Sequence, residues 1–221
     1  MLFDSCFPHI VNLACKAVLA AITDLTYIDD TIEDYSDYDP SFTYTKDCIA
    51  TARSLVNAIR NSNIKKQQFS TYVQQYFEED YKLLRDVTTR WSSTLLMITR
   101  VLKLKDAIED ITHDNEFREL SKYQLDEHDW QLLEDYKEIL QIPHAFQDIL
   151  GAETTPTLCY SIPAYSALIN RWTLLKEDNP QWADLIQPGL DKLEDYQDRL
   201  ADTPAYVLAM GKLIHIKIGL G

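Results

Sequence analysis

The pairing in this chain best suited to chemistry is an arginine followed directly by a tryptophan, Arg90-Trp91. A guanidinium can fork onto a phosphate, and an indole face stacks on any base at about 1–3 kcal/mol. The stretch from Lys82 to Lys105 surrounds this pair with six bases (Lys82, Arg85, Arg90, Arg100, Lys103 and Lys105) and one acid, Asp86. Its balance of +5 stands against a net charge of −14, which leaves −19 on the rest of the chain. A uniformly acidic protein repels nucleic acid, so the placing of its bases matters more than their total. A second basic run holds Arg53, Arg60, Lys65 and Lys66, with no acid between Asp47 and Glu78. Two plain readings stand beside the chemical one. Both runs fit solvated helix faces, and Trp91 fits a core anchor opening the Leu95/Ile98 stripe; on the residues alone the anchor reading carries more weight for Trp91.

Cys6 and His9 have the spacing of half a zinc site, but no second pair follows at finger-like spacing, so no metal is expected. Cys6, Cys15, Cys48 and Cys159 lie far apart without a CxxC pair, the pattern of free, mostly buried thiols in a reducing, intracellular compartment. His113, His128, His144 and His215 show no partner spacing and read as surface residues, as do the acid clusters Glu78-Glu79-Asp80 and Glu134-Asp135. Of five glycines, only Gly151 and Gly189 precede residue 210, which excludes GxGxxG turns, P-loops, GxSxG elbows and EF-hand loops. The apolar start lacks a positive n-region, carries Asp4, Asn12 and Lys16, and is too short to span a bilayer, so it reads as a core helix with no membrane role.

The elements that must position these residues are helical. Pro8 suits the first turn of a helix over 8–23, with Ile10, Leu13, Ala14, Ala17, Val18 and Ala21 on one stripe. Asp24 to Thr45 holds seven acids, no base and Pro40, an acidic linker. Thr45 is placed to cap a helix through Asn61 with Ile49, Ala52, Leu55, Val56 and Ile59 inward. Phe69, Tyr72, Val73, Tyr76 and Phe77 mark an aromatic helix, and one long helix is expected over 92–111. Asp126 caps a helix that Pro143 should kink and Gly151 should close. Thr155-Pro156, Asn179-Pro180 and Thr203-Pro204 open three more; Pro163 is expected to bend the first, and Pro188-Gly189 to interrupt the second. Leu213 to Ile218 is the only short β-branched run. The expected fold class is all-α, an irregular multi-helix bundle.

Three segments, in order, resemble the hAT superfamily of transposases, particularly its fungal branch. Cys6-Phe7-Pro8-His9-Ile10-Val11-Asn12-Leu13 resembles the family's C-x-x-H-(hydrophobic)-x-N-L motif. Leu84-Arg85-Asp86-Val87-Thr88-Thr89-Arg90-Trp91-Ser92-Ser93-Thr94 is similar to D-x-x-T-R-W-x-S-T, the most specific of the three. Thr155-Pro156-Thr157-Leu158 with Ala205-Tyr206-Val207-Leu208-Ala209-Met210 resembles P-T-L and a later Y-x-L-A-x segment. The resemblance implies part of an RNase H-like core, its sheet largely missing, interrupted by a helical insertion domain. Residues 1–23 would be a core helix, 24–45 the acidic disordered linker, 46–91 a helical segment leading to Arg-Trp, 92–210 the insertion domain and 211–221 a divergent tail.

In that family three carboxylates hold divalent Mg or Mn for phosphoryl transfer. None of the three positions can be matched here, so the resemblance implies a catalytically incomplete, non-enzymatic fragment without a cofactor, nuclear in location. Gly211 to Ile218 keeps a lysine but lacks the family's proline, which fits a truncated or re-spliced frame. DNA contact would fall to Arg90, Trp91, Arg85, Arg100 and Lys103, with Cys6 and His9 a buried structural pair at the helix start. The competing expectation is a helical protein-interaction or self-association module anchored by Trp130, Trp172 and Trp182. Loss of the sheet would strip apolar partners from helix 8–23, so residues 112–210 are expected to fold more firmly than residues 1–90.

Overall fold

The computed structural model describes residues 7–23, 47–87, 90–151 and 158–201, and every regular element among them is helical, as expected. In chain order these are α1 (Phe7–Ile22), α2 (Cys48–Arg60), α3 (Asn63–Tyr76), α4 (Trp91–Lys103), α5 (Lys105–His113), a 3-10 segment (Asn115–Tyr123), α6 (Glu127–Gly151), α7 (Leu158–Asp178), a 3-10 turn (Pro180–Trp182) and α8 (Ala183–Ala201). Cys6, the acidic stretch 24–45, the Thr155-Pro156 and Thr203-Pro204 starts and the run 213–218 lie outside the described residues. The chain divides into two compact units, one of Met1–Ile22 with Ile139–Gly221 and the other of Thr23–Glu138.

In the first unit α1 packs along α8, and α7 packs on α8. Ile10, Val11, Ala14, Cys15 and Val18 are fully buried, the three- and four-residue spacing that puts one stripe inward. Helix 8–23 therefore has its apolar partners within this unit, contrary to the expectation that it is left bare. Gly189 makes the close approach possible: a Cβ there would lie 2.6 Å from Val18 Cγ2 and 2.7 Å from Trp172 Cζ3. Helix α8 runs through Pro188 and Gly189 without interruption, and α6 and α7 run through Pro143 and Pro163. Pro143 cannot donate to the carbonyl of Ile139 four residues back. The Trp172 indole Nε1–H donates to that carbonyl instead, at 3.0 Å. Tyr165, fully buried, donates its hydroxyl to the Leu193 carbonyl of α8.

In the second unit α2 is central: eleven of its thirteen residues are buried, including Thr51, Arg53 and Asn57. Its cap is Asp47 rather than Thr45, with Asp47 Oδ1 accepting from the Ala50 N–H at 2.9 Å. Burial, with Asp47 and Asp129 nearby, pushes the Cys48 thiol up to about 12, and burial raises Cys15 as well. Both thiols are free and stay protonated at neutral pH.

Helix α3 buries Phe69 and Val73 but ends at Tyr76, so Phe77 lies past the helix. Tyr72 and Tyr76 turn their hydroxyls to Asp114 and Asp110, each at 2.7 Å, and Lys65 pairs with Glu119 at 2.8 Å; these links tie α3 to α5 and the 3-10 segment. The single helix expected over 92–111 is two, because the chain leaves helical geometry at Leu104 (φ −104°, ψ 23°), whose side chain is fully buried. Asp126 caps α6 reciprocally with Asp129: Asp129 N–H donates to Asp126 Oδ1 at 2.8 Å and Asp126 N–H to Asp129 Oδ2 at 3.0 Å. Trp130, Trp172 and Trp182 are 4%, 0% and 6% exposed. They belong to the core and are not exposed as anchors, which removes one of the two observations that motivated an interaction module, the acidic remainder of the chain being the other.

Candidate nucleic-acid interface

The stretch 80–87 belongs to no regular element. One buried carboxylate fixes its end. Asp86 Oδ2 accepts from Arg53 Nε at 3.0 Å and Nη2 at 2.9 Å, with both side chains almost wholly buried. Thr94 Oγ1 donates to the same carboxylate at 2.9 Å. Ser93 Oγ donates to Asp86 Oδ1 at 2.6 Å and accepts from the Val87 N–H at 2.8 Å. Asp86, Ser93 and Thr94 thus stitch the end of this stretch to the first turn of α4, while Arg53 bolts that joint to α2. A carboxylate with four protein donors and no exposed edge is a structural brace.

The other end is held by the cations themselves. Arg60 donates to the Leu83 carbonyl, Arg85 to Asn61 Oδ1, and Arg100 Nη1 to the Lys82 carbonyl at 2.6 Å. Lys103 Nζ sits 3.4 Å from the Tyr81 ring centroid and Arg100 Cζ 5.3 Å from it, cation–π contacts that fix the ring against α4. Phe77 meets Tyr81 edge-on, with ring centroids 5.5 Å apart. The two basic runs, separate in sequence, therefore converge: Arg60 and Lys66 from α2 and α3 lie beside Lys82, Arg85, Arg100 and Lys103. None of these six, nor Arg90, has a carboxylate ion-pair partner among the described residues, whereas Arg53, Lys65, Lys105 and Lys137 do.

A family model described as the ZBED1 RNase-like helical domain matches residues 5–139, more than half of the chain. The chain belongs to this family. The ZBED1 RNase-like helical domain is the helical insertion of hAT-family, transposase-like ZBED proteins, which agrees with the resemblance read from the three motifs. No curated protein and no solved structure gives a match.

Within this helical domain the expected site residues divide. Arg85 and Arg90 are exposed; Arg90 is the N-cap residue of α4 and makes no side-chain capping bond. Arg100 is half-buried and Lys103 exposed. Trp91 is 4% exposed, so its ring faces are enclosed by protein and not open to a base, which leaves it the core-anchor role. His9 is exposed on α1, against the expected burial, and Cys6 lies outside the described residues. His144 has a partner after all, its Nδ1 lying 3.1 Å from Asp148 Oδ2. Among the described residues no group of three His, Cys, Asp or Glu is placed to hold a metal, and no helix is long and apolar enough to cross a membrane.

Reading the sequence missed Arg60, Lys66 and Tyr81 as parts of this face. The acid-free run 53–66 was a visible signal; its meeting with 82–105 was not.

Proposed function

We propose that this ZBED-type helical domain is non-catalytic and contacts the backbone of DNA through the basic face formed by Arg60, Lys66, Lys82, Arg85, Arg90, Arg100 and Lys103. The observation that carries the reading is that these seven cations have no ion-pair partner among the described residues of a chain whose net charge is −14. What sets this face apart is that its cations gather in one place within an acid-rich protein, and a local cluster of positive charge attracts an external anion despite the net charge. DNA supplies a regular row of phosphates, and releasing its counterions drives association. Trp91 contributes by anchoring α4, not by stacking. The fungal hAT kinship and a nuclear setting belong to the same proposal, supported by the D-x-x-T-R-W-x-S-T match.

Titrating a fluorescent duplex with the protein at stepped salt concentrations tests this. Binding should weaken linearly in log–log form, and each of Lys82→Glu and Arg85→Glu should lower the slope by about one, near 0.9 per phosphate lost. Absence of binding at low ionic strength would refute the reading.

A further inference from the structure

We infer that a cavity between the start of α3 and the irregular stretch 80–83 is a binding site for a nucleoside phosphate. It encloses about 470 Å³, within the range of small-ligand sites, and every residue lining it lies in the Thr23–Glu138 unit. The apolar part of its lining comes from Ile59, Phe69 and Leu83, which are packed into the core and so held in place. The rim carries Arg60, Lys66 and Lys82. An apolar wall alone suits a hydrocarbon, and a cationic rim alone suits a bare anion. Together they select a ligand with a flat apolar body and an anionic group.

The remaining polar groups narrow the class. Asn63 and Gln67 each present a donor and an acceptor, matching the mixed heteroatom edge of a base. The Asp80 carboxylate, held by Ser70 Oγ at 2.8 Å, offers acceptors for a sugar hydroxyl or an exocyclic amine. The walls are already ordered: Arg60 is tied to the Leu83 carbonyl and the Lys82 carbonyl to Arg100. Arg60 donates its Nη1–H to the Leu83 carbonyl and has no carboxylate partner among the described residues, so its guanidinium, which lines the cavity, keeps an uncompensated charge. A phosphate at the rim supplies the missing negative charge.

The ligand comes either free or as an unpaired nucleotide of a strand. The site shares Arg60, Lys66 and Lys82 with the proposed DNA face, yet its test is separate. Calorimetric titration of the whole chain with adenosine monophosphate, adenosine and inorganic phosphate should show one site, with the nucleotide binding at least about tenfold more tightly than either half. Lys66→Glu should weaken nucleotide binding by about tenfold or more, with an unchanged thermal melt, while Lys137→Glu, outside both the cavity and the basic face, should leave it as it was. Competition by a single-stranded oligonucleotide would assign the strand as source, and its absence the free nucleotide. Phosphate binding as tightly as the nucleotide, or a Lys66→Glu protein binding it normally, overturns the inference. Duplex binding without nucleotide binding removes the cavity site alone; the reverse removes the DNA face alone.

Discussion

Asp86 shows how a motif with a nucleic-acid resemblance can be built for support. Its carboxylate takes bonds from Arg53, Ser93 and Thr94 in a dry setting, so each partner depends on the others. Removing it leaves the Arg53 charge buried, with Nη1 already lacking a partner among the described residues. Asp86→Ala should therefore cost about 3–5 kcal/mol in urea unfolding, the range for breaking a buried pair from one side. Replacing both members with apolar residues, Arg53→Met with Asp86→Leu, should recover most of that loss, because no lone charge remains. A double variant as unstable as Asp86→Ala would contradict the brace. In the sequence Asp86 is the single acid of a basic window, and nothing local shows that its charge is spent on an arginine 33 residues earlier.

At the scale of elements, the joint between α6 and α7 is the most informative. Pro143 frees the Ile139 carbonyl inside α6, and Trp172 from α7 fills it. Trp172→Phe should cost about 1–3 kcal/mol for the stranded carbonyl, beyond any packing loss. In a Pro143→Ala background, residue 143 regains an N–H for that carbonyl, and the same Trp172→Phe change should cost measurably less. Equal costs in both backgrounds would show that the indole bond is incidental. The pattern of the sequence made α6 and its Asp126 cap legible, since capping is local. The missing donor of Pro143 was legible for the same reason, while the tryptophan that compensates is 29 residues away. The break at Leu104 was illegible for a similar reason: the apolar residues of 91–113 keep a helical period across it.

At the scale of the molecule, α1 belongs with the end of the described chain. Its stripe is buried in the unit that contains α7 and α8, so sequence distance does not predict which parts exchange together. In hydrogen exchange, amides of Ala14–Val18 should be protected together with those of Leu168–Trp172, in place of the ordering of 112–210 over 1–90 expected from sequence alone. Near-random exchange in α1 while α8 stays protected would contradict this grouping. The basic face is equally a property of the whole: a net charge of −14 disfavours polyanions at long range, and only the clustering of six cations without a carboxylate partner among the described residues makes a local attraction possible.

Helical class, the inward stripe of α2, the Asp126 cap and the hAT-type helical-domain kinship were legible in order and spacing along the chain, because periodicity, capping and motif spacing are local properties. The stripe of α1 was legible only in part, since Ile10, Ala14 and Val18 are buried while Ala21 is exposed and Val11, Cys15 and Leu19 take the remaining inward places. Three things were decided only by the tertiary structure: that Trp91, Trp130, Trp172 and Trp182 are core, that Asp86 is a brace, and that two basic runs form one face with a cavity beside it. Each depends on which groups meet across tens of residues, and on which of them lose contact with water when they do.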